Sequence, residues 1–240
     1  MKSDSFSSGH FGSKAHTFER DCNPKGLGDD VLHHLFRVKR LRVGDVVSLT
    51  DGNGRVSLAR VEESSSSPPR GKRTSQVPEL VAAGDIYRVE PSLPVVEVAL
   101  SVIDSDKVDL AITKLTELGV ASIHLFMAER SNSTHALGEG RFRLDRLTKI
   151  AIEALSQSRG CFLPKISFVD LPYLIENNFA FLTFDGDGFD PYLRKYVIGP
   201  EGGFAQSEIP LNVKRCSFPG NVLRSETAAI AAAAISLFYV

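Results

Sequence analysis

The pattern of apolar and polar positions divides this chain in two. In DVVSLTDGNGRVSLARV, two strand-like stretches of mostly apolar and β-forming residues, 46–50 and 55–61, flank Asp51-Gly52-Asn53-Gly54. Strand-like stretches on either side of Gly and Asn, which accept the positive φ of tight turns, predict a β-hairpin. Residues 33–41 predict a short helical or turn insert before it. After it, residues 62–77 (EESSSSPPRGKRTSQV) are Ser, Pro and basic residues with almost nothing apolar, an exposed loop or linker. Residues 16–90 therefore read as a small, mostly β domain. Residues 1–15, opening MKSDSFSSGHFGSK, read as a disordered extension or an appended tail.

From Pro94 the pattern changes. PVVEVALSVI predicts a strand, and residues 107–118 carry Val108, Ala111, Ile112, Leu115 and Leu118 at helical spacing, with Gly119 as the stop. SIHLFMA is the next strand, and residues 142–156 repeat the helical pattern through Phe142, Leu147, Ile150, Ala151 and Ala154. Further strands are expected at 166–169, 179–184 and 196–198. Alternating strands and helices make residues 91–240 an α/β domain with a largely parallel sheet.

Composition narrows the function classes. The chain is 42% apolar and 24% charged, ordinary for a globular protein. The apolar run 228–240 is too short to span a bilayer and predicts a buried helix. With no basic-then-apolar leader, a cytoplasmic location is expected. Cys22, Cys161 and Cys216 have neither metal-ligand nor redox spacing and are expected as free thiols. The net charge of −1 excludes a globally basic RNA binder, yet residues 1–88 hold 14 Lys+Arg against 11 Asp+Glu and the remainder 14 against 18. Any phosphate-contacting surface is expected in the first part.

Four stretches could carry chemistry. YVIGPEGGF runs a short strand into Gly199-Pro200-Glu201-Gly202-Gly203. Glycines at a strand's carboxyl end let a ligand approach the backbone, or simply make a tight turn. Neither a Walker loop nor G-x-G-x-x-G is present. In FPGNVLRSETAAIAAAA, Ser225 is expected to cap an Ala-rich helix, with Arg224 just before it placed to meet an anion. FDGDGFD suggests calcium by composition, but the EF-hand spacing fails, so a polar loop is expected and no metal. Arg37, Lys39, Arg40 and Arg42 in HHLFRVKRLR could contact phosphates or form a solvated face.

Together, HHLFRVKRLRVGDVVSLTDGNG, KLTELGVASIHLFMAERS, RLTKIAIEALSQS, IGPEGGF and LRSETAAIAA resemble, in order and across most of residues 16–238, the RsmE-type methyltransferases of the SPOUT superfamily. The resemblance implies a PUA-like RNA-binding β-barrel followed by an α/β domain with a trefoil knot. It implies a homodimer that methylates N3 of a uridine in small-subunit (16S) ribosomal RNA, with S-adenosylmethionine as cofactor. Carried over by position, the cofactor pocket maps onto Leu182, Thr183, Phe184 and Asp185; Ile198, Gly199, Pro200, Glu201, Gly202 and Gly203; and Phe218, Pro219, Gly220, Asn221, Val222, Leu223 and Ala228. FDGDGFD departs from the more apolar, Pro-containing loop usual in the family.

On this reading Arg224 stabilises the anionic uracil, and Glu201 and Glu226 orient Arg224 or accept the proton. Arg37, Lys39, Arg40 and Arg42, with the loop Arg70-Gly71-Lys72-Arg73, would dock RNA, and Arg130 would contact RNA or the other subunit. Two alternatives stay open: a SPOUT enzyme acting on another base or on ribose 2′-O, and a non-catalytic RNA-binding protein.

Overall fold

A computed structural model of the chain describes residues 12–63, 78–131 and 137–239. Most of the N-terminal stretch read as an extension, and the basic loop Arg70-Gly71-Lys72-Arg73, lie outside the described residues. The chain forms two compact units, Met1–Pro91 with Leu155–Phe162, and Ser92–Ala154 with Leu163–Val240.

The first unit is built on strands β1 (Ala15–Phe18), β2 (Val46–Thr50), β3 (Arg55–Glu63), β4 (Pro78–Ala82) and β5 (Tyr87–Arg88). The expected hairpin is present: β2 and β3 pair antiparallel, with Thr50 opposite Val56. Gly52 and Gly54 take φ of 74° and 86°, whereas Asn53 stays outside the left-handed region. On its other edge β3 pairs with β4 near its end and with β5 near its start. Strand β1 pairs parallel with β2 and begins at Ala15, so ordered structure starts inside the segment read as an extension. Lys14 N already donates to Val46 O (2.8 Å), and its ammonium meets Asp45 at 2.6 Å.

Helix α1 (Asp29–His33) continues as a π-helical turn, His34–Val38, earlier than the expected insert because Gly28 and two aspartates start it. Segment Leu155–Phe162 joins this unit through backbone: Gly54 N donates to Cys161 O at 2.9 Å, and His16 Nε2 to Gly160 O at 2.9 Å.

Among the described residues the second unit holds six strands: β6 (Glu97–Ser101), β7 (Ser122–Phe126), β8 (Lys165–Phe168), β9 (Ala180–Leu182), β10 (Lys195–Ile198) and β11 (Arg215–Cys216). They pair in the order β11-β9-β10-β6-β7-β8, every pairing parallel. Parallel sheets are buried on both faces, and the strand residues divide accordingly. Val98, Leu100, Ile123, Leu125, Tyr196 and Ile198 join the larger core with Val108, Ile112 and Leu115 of helix α2 (Ser105–Leu118), Leu147 and Ala151 of α3 (Leu144–Ser158) and the alanines of α5 (Ser225–Phe238). Ala99, Phe126, Phe181 and Val197 point to the opposite face, under Leu174 of the short helix α4 (Leu171–Glu176). Gly119 closes α2 with φ of 90°, as its position predicts.

Strands β9 and β10 are parallel neighbours joined by residues 183–194 without a helix. The chain after β10 then returns to the far side of β9 as β11. The long connection therefore runs against β11: a Cβ on Gly186 would lie 2.3 Å from Cys216 C. Ser217 Oγ donates to Gly186 O at 2.7 Å.

Candidate functional site

The carboxyl ends of β9, β10 and β11 carry three bends that open onto one cavity of about 830 Å³. In a parallel sheet this is the rim where ligands bind. Every position expected in the pocket lines it except Pro219. Further along the chain, Phe204, Ala205, Gln206, Ser207, Ile209, Pro210 and Leu211 also line it, as do Arg215, Ser217 and Ser225. Sequence reasoning missed these because β11 is two residues long and the turns before it have no periodicity.

Each bend is fixed by a named contact. In the second, Gly203 N donates to Pro200 O at 2.8 Å, with Gly203 at φ of 67°. A Cβ on Gly199 would meet the Phe204 ring at 2.6 Å, and that ring stacks parallel to Phe126 at a centroid distance of 6.3 Å. Ser225 Oγ donates to Gly199 O at 2.8 Å. Ser225 is therefore not the helix cap expected of it: Arg224 occupies the N-cap position, with extended φ and ψ, and the Ser225 hydroxyl ties the helix to the glycine bend instead.

Two cations clamp the same bend. Arg130 Nη1 donates to Gly202 O at 2.9 Å, so Arg130, expected at an RNA or subunit contact, lines the cavity. Lys107 Nζ meets Glu201 Oε1 at 2.6 Å and Asp104 Oδ2 at 3.1 Å. The two carboxylates hold the Lys107 ammonium above its ordinary range, Glu201 first.

The first and third bends are stitched together. Thr183 N donates to Cys216 O at 2.8 Å, and Arg215 Nη1 meets Asp185 Oδ2 at 3.2 Å. Neighbouring Thr183, the Asp185 backbone N–H and Arg215 hold the Asp185 carboxyl below its usual range. Burial pushes the Cys216 thiol up to about 11.

The three residues expected to act chemically are placed differently. Glu201 lines the cavity with its carboxylate engaged by Lys107. Arg224 is exposed between the lining residues Leu223 and Ser225, but is not itself in the lining. Glu226 is 6% exposed and lies outside the lining, and its Oε2 has no hydrogen-bond partner among the described residues. A role for Glu226 facing the cavity is not what the structure shows, since the α5 residues on the cavity are Ser225 and Ala228. Arg37, Lys39, Arg40 and Arg42 are exposed on the first unit, where Lys39 Nζ reaches Gln157 Oε1 at 3.4 Å.

The donor set fits a zwitterionic, partly apolar ligand such as S-adenosylmethionine. Leu182, Ile198, Phe218, Leu223 and Ala228 supply apolar surface, the glycine bends supply backbone groups, and Asp185 with Arg215 supplies one charge of each sign. The volume lies within the roughly 300–1,000 Å³ of small-molecule sites. Among the described residues, no group of three or more His, Cys, Asp or Glu could hold a metal, and no helix is long and apolar enough to cross a membrane.

Residues 90–237 match the RNA methyltransferase domain family, and residues 27–68 match the RNA methyltransferase PUA domain. The chain is 26% identical over 218 residues to ribosomal RNA small subunit methyltransferase E 2 of Borreliella burgdorferi, covering 83% of this chain and 85% of the relative. It is 31% identical over 156 residues to ribosomal RNA small subunit methyltransferase E of Mesomycoplasma hyopneumoniae, covering 59% and 68%. The fold matches that of ribosomal RNA small subunit methyltransferase E from Neisseria gonorrhoeae bound to S-adenosyl methionine, with a TM-score of 0.70, 20% identity and coverage of 92% and 95%. By these matches the chain belongs to the RNA methyltransferase family, among the small subunit methyltransferase E proteins.

Proposed function

We propose that this chain methylates N3 of a uridine in the 16S RNA of the small ribosomal subunit, using S-adenosylmethionine held in the cavity at the carboxyl ends of β9, β10 and β11. The observation that carries this reading is the convergence of the three bends, which the sequence separates by more than thirty residues from first to last, on one space. The relatives' own names as small subunit ribosomal RNA methyltransferases support the substrate. The cofactor supplies an electrophilic methyl on a sulfonium sulfur.

The protein's part is binding, alignment and charge. The glycine bends hold the donor through backbone groups, and alignment of the two reactants can supply several kcal/mol of the barrier. Clamping by Lys107, Arg130 and Ser225 keeps the middle bend in place before substrate arrives, so little reorganisation is left to the reaction. Arg224, exposed beside the lining residue Leu223, stabilises the negative charge that develops on the uracil when N3 loses its proton. Because Glu201 is engaged by Lys107, we assign it to anchoring the bend rather than to proton transfer.

The crossing of residues 183–194 over β11 supports the trefoil knot of SPOUT enzymes. Phe184, Leu211 and Val222, exposed by 67, 95 and 73% at the cavity, support a second copy covering its mouth as a homodimer. Action on ribosomal RNA supports a cytoplasmic location. The test is transfer of a labelled methyl group to small-subunit ribosomal RNA, followed by digestion to nucleosides. Label in 3-methyluridine is expected. Label in a 2′-O-methylated nucleoside points instead to another SPOUT activity, and no transfer with intact RNA binding to a non-catalytic protein.

A further inference from the structure

We infer that the first unit carries a receptor for one unstacked RNA nucleotide, in a cleft distinct from the cofactor cavity. The inference rests on the reading of this chain as an RNA-modifying enzyme only in taking RNA as the ligand. The cleft measures about 350 Å³ and lies between α1 with its π-helical continuation, the 3₁₀ turn Pro24–Gly26, and β4. Its floor is apolar: Pro24, Leu27 and Leu80 are buried, and Leu32 is half-buried. Phe36 completes the wall, half-buried, its ring both packed on the unit's core and lining the cleft.

Charge chooses the occupant. The cations Lys25 and Arg37 stand at this apolar space against a single carboxylate, Glu79, with the imidazole of His33 also in the lining. Neither Lys25 nor Arg37 has a carboxylate partner among the described residues. Glu79 lies opposite Glu62 in the β3–β4 pairing, so it is not neutralised by its cross-strand neighbour. An aromatic wall with flanking unpaired cations suits a base that stacks while its phosphates meet the cations. The volume is near the low end for ligand sites; it admits one nucleoside and is too small for a docked helix. Leu27, Leu32, Phe36 and Arg37 fall inside the segment that matches the PUA domain of RNA methyltransferases.

The experiment measures binding of the full chain to a labelled short oligouridylate across a range of salt. Phe36→Leu keeps apolar volume but removes the stacking ring, and Phe36→Trp restores a ring. Base stacking on an aromatic side chain predicts that Phe36→Leu weakens binding by roughly fivefold or more with an unchanged salt slope, while Phe36→Trp binds like the parent. Lys25→Gln and Arg37→Gln should each lower the slope of log K against log salt by about 0.7. Should Phe36→Leu fold poorly on melting, the two surface variants carry the test alone.

Parent-like affinity and slope in Phe36→Leu, Lys25→Gln and Arg37→Gln would overturn the inference, including the case in which the cleft takes an apolar peptide. Methyl transfer measured in parallel separates the two readings. A parent chain that binds through the cleft yet transfers no methyl sinks the enzyme reading and leaves the receptor standing. Normal transfer with indifferent cleft variants sinks only the receptor.

Discussion

Gly186→Ala tests the crossing that brings two of the three cavity bends together. The added methyl would sit 2.3 Å from Cys216 C and 2.6 Å from Cys216 Cα and O, all backbone atoms, where ordinary contact begins at 3.4 Å. The connection or β11 must therefore move by about 1 Å, straining the Ser217 Oγ to Gly186 O bond of 2.7 Å. Overpacking of this kind costs about 1–3 kcal/mol. For a chain of this length that lowers the melting temperature by roughly 2–12 °C. Because Asp185 and Ser217, beside the clash, line the cavity, methyl transfer should fall as well, on the order of a hundredfold for a displacement near 1 Å. Gly202→Ala is the control: its methyl would meet Arg130 Cδ at 3.6 Å, and stability should stay within about 0.5 kcal/mol of the parent. Scanning calorimetry and a transfer assay read both effects. A Gly186→Ala chain that melts within about 1 °C of the parent and transfers methyl normally would show that the two segments are not packed as described.

Other substitutions probe charge and chemistry. Arg224→Ala should lower methyl transfer by about a hundredfold or more while leaving S-adenosylmethionine binding within a few-fold by calorimetry, since Arg224 lies outside the lining; activity close to the parent's contradicts its role. Although burial raises the Glu97 carboxyl, hydrogen bonds from His124 (3.1 Å) and the charge of Lys195 (3.3 Å) bring it below its ordinary value of 4.5. A depressed carboxylate stabilises the fold above its unfolded value and loses that contribution as pH falls through its folded one. Glu97→Gln should therefore melt lower than the parent at pH 7, with the gap closing below about pH 4; a gap that widens with acid refutes the assignment. Cys22, Cys161 and Cys216 are buried, with the last two thiols pushed up to about 11 by burial, so a thiol reagent should label none of them at neutral pH before unfolding. Rapid native labelling of Cys216 would mean that β11 detaches.

What the sequence discloses follows its periodicity. Helix α2 and its Gly119 stop, the β2–β3 hairpin and β6, β7 and β10 are legible because several successive residues repeat one pattern. Helix α4, with six residues, and β11, with two, are too short to show a period, and β1 hides beside a stretch rich in Ser and Gly. The site divides along the same line. Glycine bends at strand ends are visible as composition, so the cavity's first wall could be named from Leu182 to Ala228. The clamps could not: Lys107 and Glu201 are 94 positions apart, and Arg130 and Gly202 are 72 apart. Ser225 illustrates the limit most clearly. A Ser before Glu and Thr at a helix start reads as a cap, and only the three-dimensional position of Gly199 O redirects its hydroxyl.

The most direct test is mass spectrometry of nucleosides from the small-subunit ribosomal RNA of cells with and without this protein. Loss of one 3-methyluridine on deletion, restored by the parent chain and not by Arg224→Ala, is the predicted result. An unchanged 3-methyluridine content in the deletion strain would contradict the proposal that this cavity delivers a methyl group to that atom.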